Sequence, residues 1–588
     1  MSAAATNFFS IVSDYVDNIL PPDNTMKVLM VDADTLNIIS MACSHTFLLS
    51  RGVFLVALLG KQCQRRRMKN LRCIAFVRPQ AANIEKLCEE LCDSKYASYS
   101  VFFIGAVDVD LLRLLANADV NGLVNQVCEV FCDFLALNTN AFVSAVSTPN
   151  ALIPTLMSPT ATRTIAEGIA SMFVAQRRRP LIRYDQNSIF CQRLAMDLSE
   201  ILGKNPELYD YKSKDSMLLL LDRNSDALTP LVIPWTYQAM LHEHIGIHNN
   251  RLRLQEVNNQ QPQEGEVEEY VFSQNDDPFF AANMFANWGD LCNNVKEYVD
   301  KCKSTLNIDR STATMEEIKD FMQRLPQAKS LTGSVAKHAT VVSQLSSHIS
   351  NRNLLDTSLL EQHMIASPNQ ADHWNRIQEL ANNQHVDGSG GNGTASTSDL
   401  LRLCLIYHLR YEKPQQPSRV AELLNSIGAG YESYLRKLQQ YCKGRNVEEF
   451  FGETGVMASI VKNFAGVGNI YTQHEPVLKR TLLHLFSGRL SAAQYPYLTA
   501  EMPGSPRGHN VSQQLPPQLA SFKPKDVTVF MCGGFTYEEA ALANAINTGT
   551  AYTGSTASNF PQGGVHVAIG GTGILNSQSF LSLLSTHP

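Results

Sequence analysis

Apolar and polar residues alternate with two different periods in the first 140 residues of the chain. Short apolar runs of the length of buried strands stand at 27–31, 53–58, 71–77 and 98–104. Segments with helical spacing separate them, at 35–49 and 82–92. Apolar strands that alternate with helices predict a parallel sheet covered by helices on both faces.

Two more helices are predicted after the fourth strand, at 109–116 and 120–134. In the second of them, apolar residues recur at helical spacing and form a stripe that faces a core. The stripe consists of Val120, Leu123, Val124, Val127, Phe131 and Phe134. We therefore expect a pair of helices to complete this part of the fold.

Strand-like runs return at the far end of the chain. The fully apolar run 217–221 ends a second α/β unit, and similar runs follow at 527–531 and 565–569, with helices from 537 and from 577. Too little chain remains there for a separate domain, so the late strands are expected to join the earlier sheet. The pattern indicates an insertion in the middle of a discontinuous domain.

The inserted segment is mostly helical. Met315, Ile318, Phe321, Met322 and Leu325 share one helical stripe. A second stripe follows Pro326 and contains Leu331, Val335, Val341, Val342, Leu345 and Ile349. Because proline disrupts a helix interior, the two stripes predict a helical hairpin joined around Pro326.

The fold class predicted from these patterns is α/β with a large, mainly helical insertion. Domain 1 is expected at 1–140. Domain 2 is expected in two parts, at 141–255 and 476–588. Domain 3 is expected at 256–475, with its hairpin around 315–365.

Composition narrows the function classes. The 588 residues include 49 basic and 55 acidic side chains, which gives a net charge of −6. A negative net charge does not favour binding to nucleic acid or to an anionic bilayer. The 13 cysteines include no CxxC pair, which favours reduced thiols in a cytosolic protein. No apolar run approaches the ~20 residues of a membrane span.

Short motifs that hint at ion or phosphate chemistry all depart from their patterns. The loop that begins at Asp222 lacks the glycine and glutamate of an EF-hand, so turn and N-cap roles are favoured. His242-Glu243-His244 with His248 lacks the HExxH spacing of a zinc protease, which favours core or solvated histidines over a metal site. No metal and no catalytic residue is predicted.

A glycine-rich stretch at 570–573 follows a predicted strand and precedes a helix. Such a turn can cradle a phosphate, but a dinucleotide fingerprint requires a further βαβ unit, and only fifteen residues follow Gly573. A tight turn between strand and helix is the favoured interpretation. The chain therefore shows no enzyme signature, and this points to a protein that acts by binding.

Long motifs then connect the chain to a family. Residues 218–252 read LLLLDRNSDALTPLVIPWTYQAMLHEHIGIHNNRL. This resembles the LLDRxxDxxTPL…PWTYQAM segment of the SM (Sec-one/Munc-eighteen) family of syntaxin-binding proteins. Further stretches match the family in order along the whole chain, among them KVLMVDADT, FMQRLPQAKSLTGSVAKHATVVSQLS, YTQHEPVL and VFMCGGFTYEEA. The form of YQAMLHEHIGIHNN and YTQHEPVL is similar to the vacuolar protein sorting branch, which acts in trans-Golgi and endosomal fusion.

The resemblance implies an arch of three domains with no enzymatic activity and no cofactor. Domain 1 is implied to bind the N-terminal peptide of a syntaxin-type SNARE, and the domain 3 hairpin to guide assembly with vesicle SNAREs. The chain is expected to be a cytoplasmic monomer without a membrane span. Its SNARE partner is expected to hold it at Golgi, endosomal or vacuolar membranes.

Family position also suggests site residues. A pocket for the N-terminal peptide is expected at Leu112, Leu115, Val127 and Val130, which would receive one bulky apolar side chain, while Glu129 would pair with an arginine. Hairpin residues expected to act on SNARE helices are Pro326, Leu331, Val335 and Val342. Ordinary packing is the alternative for each apolar residue of the two sets.

Two other functions are weighed against SNARE binding. A nucleotide-dependent enzyme requires a phosphate loop and acidic magnesium ligands, and the sequence has neither. A tether subunit that binds other coat or tether chains is the second alternative. The basic runs at 65–67 and 177–179 are interpreted as solvated loops or as a docking surface for an acidic partner.

Overall fold

A computed structural model gives the three-dimensional structure. The residues that it describes are 7–23, 25–60, 67–145, 151–204, 206–209, 215–254, 268–306, 315–386, 394–413, 418–428, 430–451, 474–498, 522–550 and 564–586. Within helices and strands, the side chains of 268, 304–306, 315–331 and 384–386 also lie outside this description.

The strands within these ranges are numbered in chain order. They are β1 (Lys27–Val31), β2 (Val53–Leu58), β3 (Met68–Val77), β4 (Tyr96–Ile104), β5 (Val124–Val130), β6 (Phe134–Asn138), β7 (Ala141–Ser144), β8 (Leu181–Tyr184), β9 (Ser216–Asp222), β10 (Ile247–His248), β11 (Arg251–Leu254), β12 (Glu268–Val271), β13 (Asp526–Cys532) and β14 (His566–Gly571).

The α-helices of the first half include a very short one, α8, which continues into a π-helical turn at Leu241–Ile245. They are α1 (Phe8–Ile19), α2 (Ala33–Ala42), α3 (His45–Ser50), α4 (Ala81–Cys92), α5 (Val109–Ala118), α6 (Pro159–Ala175), α7 (Ile189–Lys204), α8 (Tyr237–Met240) and α9 (Pro278–Asn283).

The remaining α-helices belong to the insertion and to the chain end. They are α10 (Trp288–Leu306), α11 (Met315–Asn351), α12 (Leu354–Ala366), α13 (Gln370–Val386), α14 (Thr397–Tyr411), α15 (Arg419–Ile427), α16 (Glu432–Tyr441), α17 (Val477–Phe486), α18 (Tyr537–Thr548) and α19 (Ser577–Thr586).

The first sheet is parallel, with the strand order β2-β1-β3-β4-β5. Apolar side chains cover both of its faces: one core includes Val28, Cys73 and Tyr99, and the other includes Leu29 and Ile74. The four strands predicted from the apolar runs are confirmed as β1 to β4. Burial on both faces explains why these strands are continuous apolar runs.

The helix predicted over 120–134 is wrong, because this segment contains the edge strand β5 and the start of β6. The Asp119 carboxylate accepts hydrogen bonds from the backbone N–H groups of Leu123 and Val124, at 2.7 and 3.0 Å, which stops α5 from continuing. Gly122 then takes a φ of 62°, a conformation suited to a turn. Valines spaced three apart fit a helical stripe. In the strand, Val124 and Val127 pair with Tyr99 and Val101 on one face, across a shift in register, and Val130 lies on the other face.

The second sheet has the order β6-β7-β14-β13-β9-β8. The late strands β13 and β14 are parallel and lie between β7 and β9, so the prediction that they join an earlier sheet is confirmed. This sheet begins at β6, a few residues before the boundary expected at 140. A third, antiparallel sheet joins β10, β11 and β12.

The prediction that two helices meet at Pro326 is wrong. Helix α11 runs from Met315 to Asn351 and passes through Pro326 without a break. Its antiparallel partner is α10, which precedes it: the Cys302 Sγ and the Thr332 hydroxyl lie 3.8 Å apart. Periodicity is the same on both sides of the proline, and the proline alone suggested a break.

Two glycines of the late strands have packing roles. A β-carbon on Gly570 would lie 2.2 Å from Cζ of Phe142, and one on Gly571 would lie 2.8 Å from Cδ1 of Phe535. Both glycines belong to β14, so the predicted turn at 570–573 begins only after Gly571. Close approach of aromatic rings to the backbone is a sufficient reason for glycine here.

We predict that Gly570→Ala lowers the stability of the fold by about 1–3 kcal/mol, because the added methyl group overlaps the Phe142 ring. Thermal and urea midpoints measure this loss. Gly203→Ala in α7 is the control: its β-carbon meets no atom within 4 Å, so it should be neutral or stabilising by up to about 1 kcal/mol. Equal midpoints for the two variants would contradict the packing role.

Candidate functional site

The first sheet has a strand order whose usual ligand position is occupied by the protein itself. Ligands of doubly wound sheets bind at the carboxyl ends of the strands where the order reverses, here between β1 and β3. Arg78 follows β3, and its guanidinium donates two hydrogen bonds to Asp133, at 2.7 and 2.6 Å, and one to Asp34 at 2.9 Å. A buried ion pair thus fills the place where this topology would otherwise bind a small ligand.

The residues expected to form the peptide pocket come from α5 and β5 rather than from two helices. Val127 pairs in register with Val101, and Glu129 pairs with Phe103, on the sheet face that packs against Leu115. Leu112 also packs against this core. Four of the five residues therefore share one face of the sheet edge.

Val130 lies apart from the other four. It pairs with Ile104, and both side chains belong to the core on the opposite face of the sheet. Because neighbouring residues of a strand point to opposite faces, Val127 and Val130 face opposite sides. The helix predicted for this segment had placed them on the same side.

The four grouped residues differ in exposure. Leu115 is buried and Leu112 half-buried, whereas Val127 is 43 % exposed. The exposed Glu129 carboxylate accepts a hydrogen bond of 2.9 Å from the backbone N–H of Val107, which leaves its second oxygen to contact a ligand. The edge of β5 thus combines an exposed apolar side chain with a carboxylate.

The LLLLDRNSDALTPL segment is structural, as its turn and N-cap interpretation predicted. Arg223 is fully buried and donates two hydrogen bonds to Glu539, at 2.9 and 2.8 Å. Asp226 accepts from the Thr229 hydroxyl at 2.6 Å and from the backbone N–H of Val477 at 3.0 Å. This segment therefore connects β9 with the last α/β portion of the chain.

The histidines of the HEH motif lie in the π-helical turn. Burial lowers the pKa of both His242 and His244 to about 4, which keeps the two rings neutral. Glu243 accepts hydrogen bonds from the hydroxyl and from the backbone N–H of Ser577. Among the residues described, no group of three side chains is arranged to hold a metal ion.

Helix α11 is anchored by a buried polar chain that the sequence did not single out. His338 is fully buried; its Nδ1 lies 2.9 Å from the Tyr237 hydroxyl, and its Nε2 lies 3.0 Å from the Asp277 carboxylate. Lys337 is ion-paired with the same carboxylate. Tyr237 belongs to PWTYQAM and His338 to AKHAT, so the two family motifs contact each other here.

The residues expected on the hairpin have different surroundings. Val335 is buried, and Val342 is half-buried and packs against the core beside α10. Core packing, the stated alternative, accounts for these two valines. Leu331 and the side chain of Pro326 lie outside the described residues, although the backbone of α11 is described there.

A second buried charge cluster joins the end of α11 to α12 and α14. Asp399 accepts hydrogen bonds from Arg352 at 2.7 Å and from Arg402 at 2.9 Å. Arg402 also lies 3.1 Å from Glu361, whose other oxygen accepts from the backbone N–H of Ile233 at 3.0 Å. Burial raises the pKa of Glu361 to about 7, against the opposing charge of Arg402.

Comparisons with known proteins were made over the whole chain. The sequence profile of the Sec1 family matches residues 27–583. Vacuolar protein sorting-associated protein 45 homolog of Arabidopsis thaliana is 32 % identical over 97 % of this chain and 96 % of its own. Vacuolar protein sorting-associated protein 45 of Homo sapiens is 30 % identical over 98 % of this chain and 95 % of its own.

Solved structures match over the same extent. The SM protein Vps45 in complex with the Qa SNARE Tlg2 has a TM-score of 0.83 at 32 % identity, and covers 98 % of both chains. The Unc18–syntaxin 1 complex from Monosiga brevicollis has a TM-score of 0.75 at 19 % identity. The predicted SM-type arch with parallel-rich sheets is therefore confirmed. No helix among the described residues is both long and apolar enough to cross a membrane.

We predict that Glu361 lowers the stability of the protein as the pH rises from 5 to 8, an effect opposite in sign to that of the buried His242 and His244, whose lowered pKa values make stability rise with pH up to about 6.5. Its folded pKa of about 7 lies above the ordinary value of 4.5, so its contribution is full below that value and is lost as the pH rises through 7. Urea unfolding at several pH values measures this slope. The stability of the wild type relative to that of Glu361→Gln should fall from pH 5 to pH 8, and a difference that stays constant with pH would contradict the assignment.

Proposed function

The chain belongs to the Sec1 family, and on this premise we propose that it binds a syntaxin-type SNARE and promotes SNARE complex assembly in endosomal membrane fusion. The observation that carries this proposal is the match to Vps45 in complex with the Qa SNARE Tlg2, at 32 % identity over nearly the whole chain. Binding accounts for the molecule better than catalysis, because the switch point of the first sheet is filled by Arg78 and Asp133. The family is one of trafficking proteins.

We propose that the N-terminal peptide of the syntaxin binds at the edge formed by α5 and β5. Leu112 and Val127 offer apolar contact, and Leu115 supplies the buried base. Glu129 provides negative charge for an arginine of the peptide. We leave Val130 out of this proposed contact surface, because its side chain faces the other core.

We propose that the α10–α11 pair contacts the helices of the syntaxin and of a vesicle SNARE. The His338 chain supports this role, because it fixes α11 at His338 to Tyr237 and Asp277. Leu331 and Pro326, expected on the hairpin, precede His338 along α11. The protein would then act peripherally at Golgi, endosomal or vacuolar membranes, held there by its SNARE partner.

The direct experiment is a binding assay with the cytoplasmic region of a syntaxin-type SNARE, with and without its N-terminal peptide. Binding in both cases, stronger with the peptide, is the expected result. Absence of binding to every syntaxin offered would contradict the proposal. Binding to coat or tether chains alone would favour the tether alternative.

We predict that Leu112→Arg weakens binding of the N-terminal peptide about tenfold, or ~1.4 kcal/mol, because the charge disrupts an apolar contact. Isothermal titration calorimetry measures the change. Asn117→Arg is the control: the same charge is added to α5, on an exposed position about 140° around the axis. Equal affinities for the wild type and Leu112→Arg would reject this pocket.

We predict that Pro326→Ala speeds SNARE assembly. A proline in a helix interior costs about 3 kcal/mol, so alanine should stabilise α11 in its continuous form. If that form is the one that aligns SNARE helices, assembly followed by fluorescence energy transfer should accelerate. A rate identical to that of the wild type would mean that α11 is not limiting, whatever the stability gained.

A further inference from the structure

The end of helix α6 has an unusual residue at its C-terminal cap. The backbone N–H of Arg178 donates to the carbonyl of Phe173 at 3.0 Å, and that of Arg177 donates to the carbonyl of Val174 at 2.9 Å. These two bonds define a Schellman motif, in which the residue at the position of Arg177 is usually glycine. Arg177 instead takes a φ of 54°.

The other non-glycine residues with a positive φ, within the part of the chain described, are Asn249, Asn250 and Asn353. Asparagine tolerates this conformation and arginine rarely adopts it. The Schellman motif uses only backbone hydrogen bonds, so it does not itself require a long side chain at this position. Strain of this kind often marks a position where the side chain itself is needed.

A concave surface lies directly beside this cap. The cavity has a volume of about 460 Å³ and is lined by Arg177, Glu207, Leu208 and Tyr209, which we call the amino-edge groove. Its size is that of a typical ligand pocket. It lies near the amino ends of the strands β8 and β9, on domain 2, apart from the α5–β5 edge and from α11.

The groove is partly apolar, with Arg177 and Glu207 in its lining and a second arginine, Arg179, close enough to Tyr209 to affect its titration. Arg177 and Arg179 are exposed, and neither forms an ion pair with any residue that the structure describes, whereas Arg178 between them is paired with Asp526 at 2.9 Å. Leu208 is 38 % exposed. Burial raises the pKa of Tyr209 to about 12, with Arg179 opposing the rise, so the phenol stays a neutral donor.

We propose that the amino-edge groove binds an acidic linear peptide segment that carries one apolar side chain. The two unpaired guanidinium groups suit carboxylates, and Leu208 offers contact for the apolar side chain. Glu207 in the lining favours a peptide over an anionic lipid bilayer, whose headgroups it would repel. Glu207, the acidic side chain among the described lining residues, would repel carboxylates of the peptide, which are therefore expected to contact Arg177 and Arg179.

The test uses the full chain and a random linear peptide library displayed on phage. Panning should enrich acidic sequences with a leucine or an aromatic residue. A fluorescein-labelled peptide from the enriched set should bind about tenfold more weakly to Arg177→Gly in fluorescence polarisation. Arg193→Ala, which removes an exposed arginine from α7, should bind within about twofold of the wild type.

Arg177→Gly separates binding from folding. Glycine is the preferred residue at this cap, so the variant should have a thermal midpoint equal to or above that of the wild type. Arg177→Asn serves as a second variant with the same expected loss of binding. Affinity for the syntaxin N-terminal peptide should not change in either variant, which distinguishes this groove from the α5–β5 edge.

Several results would overturn the proposal. Panning that enriches no acidic sequence would do so, as would acidic peptides that bind Arg177→Gly as tightly as the wild type. Vesicles of phosphatidylserine and phosphatidylcholine form a separate arm. If the arginine variants lose binding to these vesicles while no peptide binds the wild type, the groove is part of a membrane-facing surface instead.

Discussion

The buried contact between Arg223 and Glu539 determines how the chain closes on itself. The two residues are 316 positions apart, and neither side chain is accessible to solvent. Arg223 directly follows β9, and Glu539 lies in the first turn of α18, after β13. Breaking a buried pair of this kind is costly, because it leaves an uncompensated charge in the interior. The helical insertion therefore has to leave and return at a fixed place.

Buried polar contacts also hold the insertion against the segment that follows β9 and connect helices within the insertion. His338 ties α11 to Tyr237, and Arg402 connects Asp399 to Glu361 between α14 and α12. Apolar packing is non-directional, whereas buried hydrogen bonds and ion pairs depend on direction and restrict the helices to one arrangement. The proposed alignment of partner helices requires domains held at fixed angles, and the buried networks supply rigidity of that kind.

Of the surfaces proposed for binding, the α5–β5 edge and the amino-edge groove lie outside these networks, whereas α11 carries His338 within one of them. The α5–β5 edge, α11 and the amino-edge groove each combine ordered backbone with exposed or half-buried side chains. A partner that covers the exposed apolar side chains removes them from water, and one that brings the opposite charge can pair with the exposed charged side chains. The buried residues therefore stabilise the fold, and the exposed apolar and charged side chains are the ones proposed to bind partners.

The sequence by itself determined the buried strands, the discontinuous domain and the family, because continuous apolar runs and long motifs are local patterns. It did not determine the state of 120–134 or the course of α11 through Pro326. Valines at 124, 127 and 130 fit a helix stripe and a strand equally, and pairing with β4 decided between them. The pairing also showed which residues of the candidate pocket share a face. Only the tertiary structure could therefore place Val130 and Val127 on opposite faces of the sheet.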